Sequence, residues 1–276
     1  MKHLKKLTLL HSNDMHGDFM AKEVDDRLIG GVSMLSGYVG KVRREERNVV
    51  YSISGDMFRG SLIDSEYKGL STVEIMNILA PDVVTLGNHD HDRANVMSED
   101  EMFEVYASYD NCLAVRGSTD PFTYNVPIYS SKDGSVAMNI YMMDTNNTAN
   151  GGYTGIYKNQ LEWYNAKSAE LKALNGGAAV PSMLFQHVPV KEIYSFLKEC
   201  DWKDDGAIYS RRDHKWYVLN TDIAQGDFGE APCSEDFDIQ TGEYQAWVAN
   251  GDIMGAFFAH DHNNNFVGTS ADGIKM

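Results

Sequence analysis

Residues 83–92 read Val-Val-Thr-Leu-Gly-Asn-His-Asp-His-Asp. An apolar run turns at Gly87 into a loop crowded with Asn, His and Asp. Short apolar runs bounded by turn residues read as buried strands, so 82–86 is expected to be a strand and 87–92 the loop at its carboxyl end. The same pattern stands twice upstream. Leu7-Thr8-Leu9-Leu10-His11 runs into Asn13-Asp14-Met15-His16-Gly17, and residues 49–54 run into Gly55-Asp56. Two helical stretches separate these strands. Residues 30–48 carry Val32, Leu35, Val39 and Val42 at helical spacing, and residues 71–79 open on Ser-Thr-Val-Glu, the pattern of a capping box. Strand, helix, strand, helix, strand predicts an α/β fold with parallel pairing at its centre.

Past residue 95 the rhythm changes. Residues 98–109 read as a helix. Residues 125–130 and 136–143 flank Lys132-Asp133-Gly134-Ser135, a hairpin signal. Residues 159–174 form a helix with Leu161, Tyr164, Leu171 and Leu174 on one face, interrupted by Ser168. A strand at 182–186, a helix at 191–200 and a last apolar strand at 253–259 follow. Residues 201–242 are polar and acidic and read as an irregular surface excursion. No repeat or Pro/Ser-rich linker divides the chain, so residues 1–276 are expected to form one domain.

Composition removes several classes. The chain has 276 residues, with 24 Lys+Arg against 40 Asp+Glu and a formal charge of −16. That balance argues against a nucleic-acid scaffold, which shows a basic face. The charged run at 41–47 suits a solvated helix carboxyl end. No stretch approaches the roughly 18 apolar residues of a membrane span. The amino-terminal run Leu7-Thr8-Leu9-Leu10 is too short for the apolar core of a signal peptide, so residues before it read as a basic tail. Three scattered cysteines, Cys112, Cys200 and Cys233, suit a reducing cytoplasm rather than a disulfide framework.

Five strand ends carry the chemistry. Besides the three above, Gln186-His187 follows one strand and Ala259-His260-Asp261-His262 another. Sites in open α/β sheets form just beyond the carboxyl ends of strands. Asp, Asn and neutral His are donors of intermediate hardness, suited to Mn, Fe, Zn or Co. Residues two apart, as in Asp14-x-His16 and His260-x-His262, can point the same way. One central Asp can offer an oxygen to each of two cations, and two cations about 3.5–4 Å apart clamp the attacking and leaving oxygens of phosphoryl transfer. Each fragment alone has a bland explanation. His187 alone is a core histidine, Gly55-Asp56 a turn, Asn88 a cap. Their joint placement after apolar strands is not explained that way.

This set, Asp14-x-His16, Gly55-Asp56, Gly87-Asn88-His89-Asp90, His187 and His260-x-His262, resembles the calcineurin-like metallophosphoesterase superfamily, with the blocks in the family's order. The resemblance implies a four-layer α/β/β/α sandwich with mixed sheets. It implies that Asp14, His16 and His262 hold one metal, that Asn88, His187 and His260 hold the other, and that Asp56 bridges them. It places His89 beside the substrate as proton donor to the leaving oxygen or as a stabiliser of the transferring group, with Asp92 orienting it and Asp90 competing for that part. The chemistry implied is in-line displacement at phosphorus by a metal-bound hydroxide on a small phosphate ester.

The two halves resemble different branches. Residues 7–92 are similar to bacterial 5′-nucleotidases, and residues from about 100 to 268 to calcineurin-like phosphoesterases near the purple acid phosphatases, so the chain reads as a mosaic. Arg59 stands where purple acid phosphatases carry a tyrosine ligand, so an iron–tyrosinate site is not expected. Ala259 replaces the glycine usual before His260. The chain stops 14 residues after His262, and no nucleotide-binding carboxyl-terminal domain is expected. A phosphomonoesterase is the main expectation. A 5′-nucleotidase or phosphodiesterase is the alternative, and a folded metal-binding domain without turnover is the alternative of another class. The acidity of the whole chain does not exclude an anionic ester, because two divalent cations would outweigh the two ligand carboxylates.

Overall fold

The computed structural model describes residues 5–59, 66–67, 69–92, 97–149, 152–234 and 241–276. The first residues of the basic tail, and Gly60 and Ser61 after the second motif, lie outside the described residues. In the first half, β1 (Thr8–Ser12) leads to a hairpin of β2 (Lys22–Val24) and β3 (Arg27–Ile29), then α1 (Gly31–Glu45), β4 (Val49–Ser54), α2 (Leu70–Leu79) and β5 (Val83–Thr85). Next come α3 (Glu99–Ala107), β6 (Tyr124–Tyr129), β7 (Val136–Met143), the two-residue strands β8 (Thr148–Ala149) and β9 (Gly152–Tyr153), α4 (Lys158–Leu174) and β10 (Ser182–Gln186). A 3-10 turn (Lys191–Phe196), β11 (Leu197–Glu199), β12 (Ile208–Ser210), β13 (Lys215–Leu219), β14 (Ala224–Phe228), α5 (Glu243–Asn250), β15 (Ile253–Phe257) and β16 (Asn264–Gly268) complete the order.

Two sheets form the centre. The first runs β1-β4-β5, all parallel, and the second runs β15-β10-β7-β6, parallel except for β6. Three apolar clusters make this a four-layer stack. Val50, Val83, Val126, Ile140, Met142 and Phe185 fill the space between the sheets. Tyr51, Ile53, Met76 and Phe103 pack the first sheet under α1, α2 and α3, and Tyr141, Leu184, Tyr164 and Trp247 pack the second under α4 and α5. The α/β expectation holds, with parallel and antiparallel pairing. β5 is an edge strand, and the Tyr124 hydroxyl satisfies its backbone, donating to Val84 O at 2.9 Å and accepting from Val84 N at 3.0 Å. The sheets are thereby bonded as well as packed.

Several local expectations are corrected. The box expected at Ser71 does not form, because α2 starts at Leu70 behind Gly69, whose φ of 86° makes the turn. A capping box forms instead at α3, where Glu101 N donates to Ser98 Oγ and Glu101 Oε2 accepts from Ser98 N at 2.8 Å. The helix expected at 191–200 is one 3-10 turn followed by β11, since Leu197–Glu199 pairs with residues 217–219 and its backbone groups go to that ladder. Of the stretch 201–242, the described part carries three short strands between turns and is not irregular throughout. Trp216-Tyr217-Val218 suits a strand, and β11-β13-β12 form a sheet while β14 pairs β16. Residues 235–240 lie outside the described residues. Arg43 is not simply solvated. It donates to Ala80 O and Asp82 Oδ2 at 2.7 and 2.8 Å, closing the end of α2. Leu174 is exposed, outside the buried stripe of Tyr164, Ser168 and Leu171. Among the described residues no helix is long and apolar enough to cross a membrane.

Candidate metal centre

The parallel strands of both sheets end on one side of the molecule. Asp14 and His16 follow β1, Asp56 follows β4, and Asn88, His89 and Asp92 follow β5. His187 follows β10, and His260 and His262 follow β15. The β1–β4 ladder continues past the strands. Asp14 N donates to Gly55 O at 3.0 Å, His16 N to Asp56 O at 3.0 Å, and Gly17 N to Met57 O at 2.9 Å. These bonds hold Asp14 and His16 beside the loop that carries Asp56. The course is strained. Asp14, His16, Asp56, Arg59 and His260 all have φ between 48° and 74°. L-residues enter this region at a cost, and such outliers gather at functional sites. Ala259 is not among them, so the positive φ beside the unusual alanine falls on His260.

Six of the seven expected ligands gather into two clusters. Asp14, His16 and His262 offer donor atoms within 4.8 Å of one another, and so do Asp56, His187 and His260. Asp14 Oδ1 lies 3.3 Å from His262 Nε2 and 3.7 Å from both His16 Nε2 and His187 Nε2. Asp56 Oδ2 lies 3.1 Å from His187 Nε2 and 3.9 Å from His16 Nε2, so it faces both clusters. Nδ1 of His260 is 3.3 Å from His187 Nε2. Asn88 is buried, and its neighbours tie it to Asp56. His89 N donates to Asp56 Oδ1 at 2.8 Å.

Rings are oriented from behind. His187 Nδ1 donates to Ser54 O at 2.8 Å and His16 Nδ1 to Arg59 O at 3.0 Å, leaving each Nε2 turned inward. Such bonds fix the tautomer of a metal-binding histidine. Burial opposes charge on Asp14, yet His16 and His187 hold it well below the usual carboxylate range. Burial likewise opposes the charge on Asp56, and His187 pulls it down. Burial would lower His187, but Asp56 and Asp14 push it up to about 9. Burial and then the charge of His187 lower His260 to about 3, so it is a neutral donor.

Two buried oxygens test whether cations fit. Asp14 Oδ1 and Asn88 Oδ1 are shielded from solvent and have no hydrogen-bond partner. A buried acceptor left unpaired costs about 1–3 kcal/mol, and here both belong to the expected ligand set. Their types, carboxylate, carboxamide and imidazole, match a divalent cation of intermediate hardness. The residues present therefore fit such ions.

Beside the clusters, His89 Nδ1 bonds Asp92 Oδ2 at 2.7 Å, and Arg59 donates to the same carboxylate oxygen. Asp90, the alternative orienter of His89, is used elsewhere. It is fully buried and accepts from the backbone N–H of Asp56 (2.8 Å), Met57 (3.0 Å), Phe58 (3.2 Å) and Gly87 (2.9 Å). It ties the second loop to the third, and burial with the charge of Asp56 pushes it up to about 6. Sequence reasoning missed that part, although the Gly87-Asn88-His89-Asp90 block named the residue. It also missed Tyr153, whose ring meets His260 edge-on at 4.1 Å. The carbonyls of Ser54 and Arg59 carry no sequence signal at all. His11, at the end of the first apolar run, lies against Phe185 and Phe257 and not at the clusters.

A model of the calcineurin-like phosphoesterase family matches residues 7–264, across both halves. The chain belongs to the calcineurin-like phosphoesterases. Among its relatives, mouse 5′-nucleotidase is 39% identical over 94 residues, covering 32% of this chain and 16% of that protein. A snake venom 5′-nucleotidase of Naja atra is 31% identical over 146 residues, covering 49% and 24%. The chain thus matches less than a quarter of the length of these relatives. The NAD nucleotidase structure of Haemophilus influenzae superposes with a TM-score of 0.50 at 15% identity, covering 98% of this chain and 48% of that one, and supports the fold alone. Membership in this family implies divalent metal ions.

Proposed function

We propose that this chain hydrolyses phosphomonoesters with two divalent cations held by Asp14, His16 and His262 on one side and Asn88, His187 and His260 on the other, with Asp56 shared. The observation that carries the reading is the pair of donor clusters that Asp56 faces together, with buried acceptors on Asp14 and Asn88 that have no hydrogen-bond partner. When bound, such cations supply a water acidic enough to attack at neutral pH and neutralise the phosphoryl oxygens.

The protein's own groups do the rest. Asp92 accepts from Nδ1–H of His89, which fixes the ring's orientation and leaves Nε2 as the nitrogen that faces the substrate. His89 then donates to the leaving ester oxygen. Arg59 keeps Asp92 from swinging away and places a cation beside His89. Asp90 locks the loops of Asp56 and Asn88 to each other, so the two clusters stay in register.

The test is hydrolysis of p-nitrophenyl phosphate with added Mn. His89→Ala is expected to lower kcat by 10²–10⁴-fold, the range for loss of a general acid, and Asp56→Asn to abolish turnover with loss of metal. Unchanged rates in both variants refute the reading. The relatives favour a second reading, in which the ester is a nucleoside 5′-phosphate. AMP and bis-p-nitrophenyl phosphate separate it from a general monoesterase and from a diesterase. No cleavage of AMP rejects the nucleotidase, and no cleavage of the bis ester rejects the diesterase.

A further inference from the structure

One histidine of the third loop serves neither metal cluster. His91 Nε2 lies 2.8 Å from Asp144 Oδ1 and its Nδ1 lies 2.8 Å from Glu99 Oε1. Asp144 follows β7 of the second sheet and has no solvent exposure. Its backbone and Oδ1 are held, while Oδ2 has no hydrogen-bond partner. Its N–H donates to Thr123 Oγ1 at 3.2 Å, its carbonyl accepts from Gln160 Nε2 at 2.8 Å, and Oδ1 also accepts from Asn146 N at 2.8 Å. Glu99 opens α3, which packs on the first sheet. The His91 carbonyl accepts from Asn147 Nδ2 at 3.2 Å.

A buried carboxylate must be paired, and this ring pairs it. Burial opposes a proton on His91, but Asp144 and Glu99 push it up to about 11, so both ring nitrogens donate. One ring nitrogen and one oxygen of each carboxylate lie within 4.8 Å of one another, and the two carboxylates bond opposite ring nitrogens, so the ring bridges them.

The loop is therefore anchored twice in succession. Asp90 fastens it to the loop after β4, and His91 fastens it to the second sheet. His89 stands just before these anchors and Asp92 just after. We propose that His91, clamped between Asp144 and Glu99, is the positioning residue that sets Asp92 and, through it, His89. The proposal rests on the reading of His89 given above.

The experiment compares kcat and KM of the full Mn-loaded chain on p-nitrophenyl phosphate for wild type, His91→Gln, Glu99→Gln, His89→Ala and the doubles with His89→Ala. Metal content and melting temperature are measured on the same samples. His91→Gln is expected to lose 10–100-fold in kcat, the range for residues behind a functional group, with KM within about twofold and unchanged metal content. In the His89→Ala background the same change is expected to have no further effect, because residues acting through one group are not additive. A full loss in both backgrounds overturns the proposal, as does wild-type kcat in His91→Gln. So does one metal fewer per chain in that variant, which makes His91 a ligand. Should His91→Gln not fold, Glu99→Gln leaves the Asp144 contact and is expected to lower kcat three- to tenfold only where His89 is present. An equal loss without His89 refutes the clamp. Wild-type kcat in His89→Ala overturns instead the reading on which the proposal stands.

Discussion

Gly87 is the point where a single methyl group discriminates between a metal centre and a merely crowded loop. A Cβ built there would stand 2.4 Å from Asp56 Oδ1, 2.7 Å from Asp56 N and 2.8 Å from the His187 ring at Cγ. Non-bonded carbon contacts settle near 3.5 Å, so Gly87→Ala requires the Asp56 carboxylate to retreat by about 1 Å and His187 by roughly two-thirds of that. Gly87 has no positive φ, so the penalty is one of space and not of backbone conformation. Overpacking of this kind costs about 1–3 kcal/mol in stability. The larger effect falls on the site, where metal–ligand distances tolerate only about 0.2 Å and a 1 Å misplacement costs on the order of 10²-fold in rate. Titration calorimetry of Mn into chelator-treated protein, run beside p-nitrophenyl phosphate turnover, measures both. Gly134→Ala is the control. It also loses stability, by about 1 kcal/mol, because its φ is 73°, but no atom lies within 4 Å of its added methyl. Gly87→Ala with wild-type Mn affinity and turnover would refute the assignment of Asp56 and His187 to one centre.

Chelation is expected to lower the melting temperature and added Mn to raise it. A ligand at 100 times its Kd stabilises the native state by about 2.7 kcal/mol, and identical melting in EDTA and in Mn would deny the centre a cation. The His91 clamp has its own pH signature. Its folded pKa is raised from 6.5 to about 11, so its contribution is complete below about pH 6.5 and is lost as pH rises toward 11. The shift corresponds to about 6 kcal/mol at 1.4 per unit, and solvent around partly exposed Glu99 leaves roughly half. Urea unfolding of chelated wild type and His91→Gln should therefore differ most at pH 6 and least at pH 10, and a gap that widens with pH contradicts the clamp.

The parts of the fold legible in the sequence were those with an apolar period. β4 and β10 matched their expected bounds because each is a short apolar run stopped by polar turn residues. The residues of the two donor clusters were legible because each follows such a run. What failed was decided by tertiary partners. The Ser71 box lost to a glycine start two residues earlier, and the helix at 191–200 lost to pairing of Leu197–Glu199 with β13. The hairpin of β2 and β3, wholly exposed, turns on Asp25 and Asp26, both at positive φ, and offered no apolar alternation to find. Asp90 and Asp92 could not be told apart by spacing. Only the direction of each carboxylate, one to four backbone amides and one to His89, separates them.

The strained loops and the acid composition meet in one argument. Five non-glycine residues in the left-handed region cost several kcal/mol between them, at about 1–2 each. They persist because the loops are over-determined. The ladder of β1 and β4 continues through Asp14 and His16, and four amides close on Asp90. Those same bonds bring Asp14 and Asp56 together in a buried place where two carboxylates repel. Nothing in a chain of charge −16 offsets that repulsion by composition. His187 offsets part of it, drawn up to about 9 by both carboxylates, and divalent cations bound there would offset the rest while displacing that proton. The acid total therefore sets the solubility of the chain. Bound cations would set locally the sign of the field met by a phosphate ester, whatever the acid total of the chain.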